Sequence, residues 1–490
     1  MNIFNKFIDN QEILKDKTAF IDKNDKKISY SKFYYDISTC IKLIKELNIK
    51  KGSKFFIFIP PSYELYVVLI ASVMAGVTIV FIDDWSERKR INRIIKENPD
   101  GILVTNSKLY NILSCISCIR NINNKLFVDK ILEYNNELDY EYQNIEYDKN
   151  IKLDDEAFII YTTGSTGYSK KVIRSYNVIQ NQFEVVKKNL DVNLGQVVMS
   201  GLPMHTLALL LLGVTVVIPK SNPFKISKTK IDKVVEQIQK YNVSTLINSG
   251  YFFETLCNYV MSNNITINNL KNIYTGGSFY KISELEKLEE MLKCNINIIY
   301  GSTEAFIFCK INNKCYKENY YNNDGIPVGY KLNELDYKVL SDKGTNDDGI
   351  GELLVKGDYV SYSNPVEINN KIWHNTGDCV NIESGMIYML GRKKHIVEYN
   401  NVIYYSLALE KLITSRYPKI KNCAVIKDNK GYIRVFIEKR GLNKQSKKDI
   451  QKKIKNILSF LRIDYIHFIK IPRDRRHYSR IDYAKLNNMY

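Results

Sequence analysis

Residues Tyr161–Val172 read YTTGSTGYSKKV, and the reading of this stretch decides the reading of the chain. It follows a short apolar run, Ala157–Tyr161, with the length and composition of a buried strand. Six glycine or hydroxyl residues come next, Thr162, Thr163, Gly164, Ser165, Thr166 and Gly167, and Lys170 follows them. Such a loop can wrap phosphates. Glycine permits close approach and positive φ, consecutive backbone N–H groups form an anion-binding concavity, and hydroxyls and a lysine add donors and charge. The spacing is not the GxxxxGK[ST] of a Walker loop. A plain Ser/Thr/Gly turn has the same composition, so the loop must be read with its surroundings.

Outward from the loop, strand-like and helix-like runs alternate. Lys54–Pro60 (KFFIFIP) and Gly76–Ile82 (GVTIVFI) read as strands around a helical Tyr63–Ala75. Ile102–Thr105, Val198–Ser200, Thr245–Asn248, Asn272–Thr275 and Asn297–Tyr300 read as further buried strands. This predicts two consecutive α/β subdomains, roughly 1–180 and 181–320. Beyond residue 320 the chain turns Gly- and Asp-rich with short β-like runs, which predicts a small β subdomain over about 321–393. A last region, 394–490, mixes strands and helices.

Composition bounds the rest. A chain of 490 residues is too long for one typical core. The net charge of +18 allows a nucleic-acid binder, but Lys and Arg are scattered and no nucleic-acid partner is expected. The charge does favour anionic ligands in any cleft. Nine cysteines without a regular framework read as reduced thiols in a cytoplasmic protein. Cys115 and Cys118 form a lone CxxC with neither a second pair nor nearby histidines, so no metal site is expected there. The longest apolar run, Leu207–Ile218, is 12 residues and ends at Pro219, too short for a membrane span and read as core. The first residues carry no signal-peptide apolar segment.

Further motifs follow in order: Tyr274-Thr-Gly-Gly277, Tyr300-Gly-Ser-Thr-Glu304, Trp373-His-Asn-Thr-Gly-Asp378 and, 13 residues after Asp378, Gly391-Arg392. With the opening loop, this set resembles the adenylate-forming superfamily of acyl-CoA synthetases, luciferases and nonribosomal adenylation domains. That family's loop is close to YTSGTTGxPKG. Here Lys170 matches its lysine, Ser169 replaces the proline and Lys171 the final glycine. Ile28–Asp83 is similar to the family's opening unit, so the resemblance covers nearly the whole chain.

The resemblance implies a large domain, 1–393, of two α/β subdomains and a small distorted β-barrel, followed by a small mobile α+β domain, 394–490. It implies ATP and Mg²⁺ as cofactors. Thr162–Gly167 and Lys170 would hold phosphates, Gly276 and Gly277 would line the adenine and acyl pocket, and Tyr300 would stack on adenine. Thr303 would meet the α-phosphate, Glu304 would hold the metal, and Asp378 and Arg392 would bind the ribose. Lys394 would be the hinge on which the small domain swings between half-reactions. His205 is expected to gate the acyl pocket, although a satisfied core histidine reads equally well. Tyr251, Phe252, Phe253, Phe279 and Tyr280 are expected to make the pocket aromatic and apolar, favouring an aryl or fatty acid.

One departure matters. The family's small domain usually ends in a GKI-like segment whose lysine bridges the substrate carboxylate and ATP. The match here is Ser479-Arg480-Ile481, with arginine in place of lysine and Arg476 and Lys485 nearby. Arginine keeps the charge but presents a planar fork instead of a compact ammonium. The expected partners are a small carboxylic acid and, as acceptor, coenzyme A or a phosphopantetheine carrier protein. Two alternatives stay open. Leu202–Thr206, Gly391–His395 and Pro472–Arg480 resemble a subgroup that includes β-lactone synthetases acting on 3-hydroxy acids, and Arg480 allows a non-catalytic binding relative.

Overall fold

The computed structural model describes residues 3–82, 87–133, 145, 147–162, 170–222, 228–439, 443–474 and 478–489. A large mixed α/β domain is followed by a small one. The first sheet has six strands in the order Lys125–Phe127, Ile102–Thr105, Lys54–Phe58, Thr78–Phe81, Glu156–Thr162 and Lys170–Ser175. The first five run parallel, and the last pairs antiparallel with Glu156–Thr162. Helix Tyr63–Met74 crosses between two of these strands. Its sequence YELYVVLIASVM is apolar all round, and 11 of its 12 residues are buried.

The second sheet is longer. Six strands lie parallel in the spatial order Thr18–Ile21, Thr215–Val217, Val197–Ser200, Thr245–Ser249, Asn272–Gly276 and Asn295–Tyr300. Strands of the 321–393 region run on from this sheet, antiparallel and without a break, through Cys309–Asn312 and Ile326–Lys331 to Met386–Arg392, Lys371–Glu383 and Gly349–Lys356. Thr18–Ile21 joins this second sheet although it lies inside the 1–180 window, because Phe20 and Ile21 pair with Val216 and Val217.

The small domain starts with a hairpin, Ile396–Tyr399 and Val402–Tyr405. Its two-residue turn, Asn400-Asn401, takes positive φ at both positions, which asparagine tolerates better than other side chains. Helix Ser406–Arg416, strands Asn422–Lys427, Ile433–Glu438 and Tyr465–Phe468, and helix Lys444–Ile457 complete it. Val397, Leu409, Ile413, Val425, Val435, Ile450 and Ile454 form its core.

Two lysines fasten the domains reciprocally. Lys281 of the large domain donates to the carbonyls of Ile420, at 2.7 Å, and Lys421. Lys411 of the small domain donates to those of Asn323, at 2.6 Å, and Gly325, at 2.7 Å. Burial depresses the Lys281 ammonium and takes Lys411 down to about 8.

Glu410, one helix position before Lys411, is sealed inside the small domain. Its carboxyl accepts from Val425 N at 3.0 Å and from the Tyr483 hydroxyl at 2.8 and 2.9 Å. Burial pushes Glu410 up to about 8. A carboxyl whose pKa is higher folded than unfolded holds its proton better folded, so its contribution is full at low pH and is lost as pH rises through about 8. Glu410→Gln, which stays neutral, should therefore gain stability over the parent between pH 5 and 8, by at most about 1.4 kcal/mol per pH unit, and level off above. Thermal unfolding across that range checks it, and a constant difference would refute it.

Candidate active site

Four neighbouring parallel strands of the second sheet, ending at Ser200, Ser249, Gly276 and Tyr300, finish along one edge. In open α/β sheets the carboxyl edge of the strands is where ligands bind. Glycines keep this edge low. A Cβ on Gly301 would lie 1.8 Å from the carbonyl oxygen of Phe306, and one on Gly276 would lie 2.9 Å from that of Ile299. The backbone can turn here only without side chains, and the motif glycines meet that need.

Tyr300, Asp378 and Arg392 converge beside this edge. The Tyr300 hydroxyl donates to Asp378 Oδ2 at 2.6 Å, and Arg392 Nε lies 2.8 Å from Asp378 Oδ1. Asp378 and Arg392 face each other across the pairing of Lys371–Glu383 with Met386–Arg392. The Asp378 side chain is 3% exposed and that of Arg392 43%, so a buried carboxylate holds a guanidinium open to solvent. The Tyr300 ring packs edge-on to Phe308 at 5.1 Å.

A second cluster lies at the start of strand Lys170–Ser175. Lys170 Nζ lies 3.6 Å from Glu304 Oε1, and Glu304 is mostly buried. Burial opposes ionisation of Glu304, but the surrounding groups, among them the backbone, Lys170 and the Ser302 hydroxyl, outweigh it and hold the carboxyl below its ordinary range. Burial takes His374 down to about 4, against the pull of Glu304, so its ring is neutral at neutral pH. Glu304 is placed by a turn in which Ser302 Oγ accepts from the amides of Glu304, at 3.2 Å, and Ala305, at 3.3 Å. Thr303 is fixed from behind, where its carbonyl accepts from buried Arg174. Residues Thr163, Gly164, Ser165, Thr166 and Gly167 lie outside the described residues, as does Arg476, and Thr162 is described only as the last residue of its strand.

The small domain brings Arg480 to the same edge. Arg480 Nε donates to the Gly277 carbonyl at 2.9 Å. Asp474 Oδ1 accepts from the amides of Ser479, at 3.0 Å, and Arg480, at 2.7 Å, and shapes the segment that carries the arginine. Ser479 Oγ accepts from Tyr251 N at 3.2 Å, and Tyr478 packs on Tyr251 with ring centroids 4.8 Å apart. Lys394 sits in a short 3-10 turn, Lys393–His395, directly after Arg392, and the neighbouring His395 ring stacks on Tyr483 at 4.1 Å.

The aromatic run expected in the pocket divides. Phe252 and Phe253 are 2% and 0% exposed and belong to the core with Val234, Leu246 and Leu256, and Tyr280 is 6% exposed in the same core. The cause is helical spacing. In Gly250–Ser262 the residues 252, 253, 256, 257 and 260 face the sheet, so consecutive aromatics cannot all face a pocket. Phe252 is therefore corrected to a core residue, whereas Tyr251 and Phe279 are half-buried. His205, on helix Pro203–Leu211, packs against Phe306 with ring centroids 4.6 Å apart, and burial takes it down to about 4.

Arg174 and His374 belong to the site and were not singled out in the sequence. His374 stands inside the Trp373–Asp378 motif. Arg174 is at an inward position of Lys170–Ser175, whose buried residues are Val172 and Arg174, and a charged residue at an inward strand position marks a site. Removing the buried carboxylate in Asp378→Ala strips Arg392 and Tyr300 of their partner. The expected result is a loss of about 1–3 kcal/mol in unfolding free energy and weakened binding of AMP, read by denaturant titration and by calorimetry. A variant with unchanged nucleotide affinity would exclude Asp378 from the site.

With this geometry in place, comparisons with known proteins become informative. A family profile described as AMP-binding enzyme matches residues 8–362. Bacitracin synthase 1 from Bacillus licheniformis is 23% identical over 76% of this chain, which spans only 7% of that protein's length. The 4-coumarate--CoA ligase-like 3 of Arabidopsis thaliana is 22% identical, with 93% of this chain and 87% of the relative covered. The D-alanine--D-alanyl carrier protein ligase of Bacillus mycoides (strain KBAB4) is 21% identical, with 81% and 79% covered. Among solved structures, the amide bond synthetase McbA from Marinactinospora thermotolerans superimposes with a TM-score of 0.82 at 14% identity, over 99% of this chain and 100% of that one, a likeness of fold. The profile spans well over half of the chain, and on that basis the chain belongs to the AMP-binding enzyme family.

Proposed function

We propose that the protein activates a carboxylic acid with ATP, forming an acyl-adenylate and pyrophosphate, and then passes the acyl group to a thiol. The observation that carries this reading is the meeting at one strand edge of Asp378–Arg392, Lys170–Glu304 and the small-domain Arg480. In the first step the substrate carboxylate oxygen attacks the α-phosphorus, and the bond to the bridging oxygen breaks with pyrophosphate leaving. Asp378, able to accept from both ribose hydroxyls, and Arg392 would hold the sugar. Thr162–Gly167 and Lys170 would hold the departing phosphates, Thr303 would meet the α-phosphate, and Gly276, Gly277 and Tyr300 would border the adenine. Arg480 would meet the charge that develops between acid and nucleotide. Most of the acceleration would come from positioning and charge stabilisation.

Glu304 suits a magnesium ion. Its carboxyl is held in the ionised state beside Lys170, and Mg²⁺ in nucleotide sites takes one or two carboxylates together with phosphate oxygens and water. Bound there, the ion would neutralise phosphate charge. The acid would enter beside His205, Phe306, Phe279 and Tyr251, a partly ring-lined wall that keeps an aryl or fatty acid as the preferred class. Relatives carry names with both kinds of thiol acceptor, coenzyme A and a carrier protein.

Pyrophosphate release in the presence of hydroxylamine, measured against a panel of aryl, fatty and 3-hydroxy acids, tests the reading. Turnover is expected with at least one acid. Arg480→Ala should then lower kcat about a hundredfold, in line with loss of one group that stabilises transition-state charge, while Arg480→Lys should keep most of it. ATP binding without turnover on any acid would favour a non-catalytic relative. Formation of a β-lactone from 3-hydroxy acids would assign the acceptor to the substrate's own hydroxyl.

A further inference from the structure

The positive charge of the chain is not spread evenly. Residues 394–490 hold 23 Lys and Arg against 8 Asp and Glu, a net +15 of the chain's +18. One fifth of the chain thus carries five-sixths of its net charge, and a generally lysine-rich composition would not produce that. The densest part is helix Lys444–Ile457, KQSKKDIQKKIKNI, with six lysines and one acid, Asp449. All six lysines are exposed, and among the described residues none has a carboxylate within ion-pair distance. Lys444, Lys448, Lys452 and Lys455 follow at offsets of 4, 4 and 3, so they share one face. At 1.5 Å rise per residue they form a stripe about 16 Å long.

The surroundings decide which polyanion fits. The apolar side of the helix, Ile450 and Ile454, is buried in the small domain's own core, so the helix has no apolar face to sink into a lipid surface. Single-stranded nucleic acid needs open ring faces beside the cations. The rings along this helix are engaged: Lys453 and Lys439 lie over Tyr417 at 4.8 and 5.6 Å, Lys447 lies over Phe468 at 5.7 Å, and the half-exposed Phe460 just past its end stacks one face on Tyr404 at 5.3 Å. What remains is a rigid line of ammonium groups suited to carboxylates spaced along a helix or strand of another protein.

We propose that the Lys444–Lys455 stripe docks an acidic protein, and that this protein is the carrier of the acceptor thiol in the reaction above. The docking half stands on charge distribution, and the acceptor half rests on the acid-activation reading. The stripe lies on the domain that also brings Arg480 to the strand edge, so a carrier bound there is tethered to the element that organises the site.

The full chain is compared with its K444E/K448E/K452E/K455E variant and with the corresponding quadruple Gln variant. The probe is a phosphopantetheinylated acyl carrier protein of net negative charge. Fluorescence anisotropy should report salt-sensitive carrier binding by the parent, weakened about tenfold or more by reversal and less by neutralisation. Unchanged circular dichroism and unchanged hydroxylamine-driven pyrophosphate release in the variants exclude misfolding. With an acid that turns over, the KM for carrier should rise while kcat and the KM for coenzyme A stay put. Carrier binding insensitive to the variants, or tighter stripe-dependent binding of a single-stranded oligonucleotide or of anionic phospholipid vesicles, overturns the proposal. Hydroxylamine turnover without any acyl transfer to the carrier overturns its acceptor half. Absence of pyrophosphate release with every acid sinks the activation reading instead, and the anisotropy still decides the docking.

Discussion

The carboxylate of Asp378 ties together parts of the chain that would otherwise meet only as neighbours. Tyr300 ends a parallel strand of the second sheet, and Arg392 ends the antiparallel strand from which the small domain departs. One buried acid pairs with both. Burying a charge is tolerable only when it is hydrogen-bonded and paired, and here the pairing also fixes distances: the edge of the parallel strands, the antiparallel extension and the start of the small domain share one anchor. Residues 393–395 form a single short turn immediately beyond it, so the small domain departs directly from this anchor.

Around that anchor, sequence and structure agree where the signal is local. The motif glycines at 276 and 301 stand where a Cβ would strike the carbonyls of Ile299 and Phe306, and Gly277 takes a positive φ. The apolar runs at Ile102–Thr105 and Asn272–Gly276 became parallel strands because nothing but burial on both faces accommodates them. The pairing of Thr18–Ile21 with Thr215–Val217, by contrast, joins segments nearly two hundred residues apart, and no period or turn residue encodes such a partner. Phe252 was misplaced for a related reason. Its type suited a ligand wall, but helix phase decides direction, and phase turns it to the core.

Arg174 and His374 show what residue-type matching leaves out. Both support the groups assigned to ligand, Arg174 holding the Thr303 carbonyl and His374, within its own motif, beside Glu304. The motifs name the groups that would meet ligand; the supporting groups are legible only through strand alternation or through the folded contact. Charge was similarly legible, but only when counted by domain. Over the whole chain the lysines look dispersed, but residues 1–393 carry only +3 of the net +18.

The reciprocal lysines at the domain junction have an evolutionary corollary. Lys281 and Lys411 each give their ammonium to main-chain carbonyls, those of Ile420, Lys421, Asn323 and Gly325. A carbonyl is present whatever side chain its residue bears. The acceptor positions can therefore drift through neutral substitution while the contact persists, and the whole selective burden falls on two donors. Related chains that share this junction would be recognised by a pair of retained amines facing otherwise dissimilar sequence.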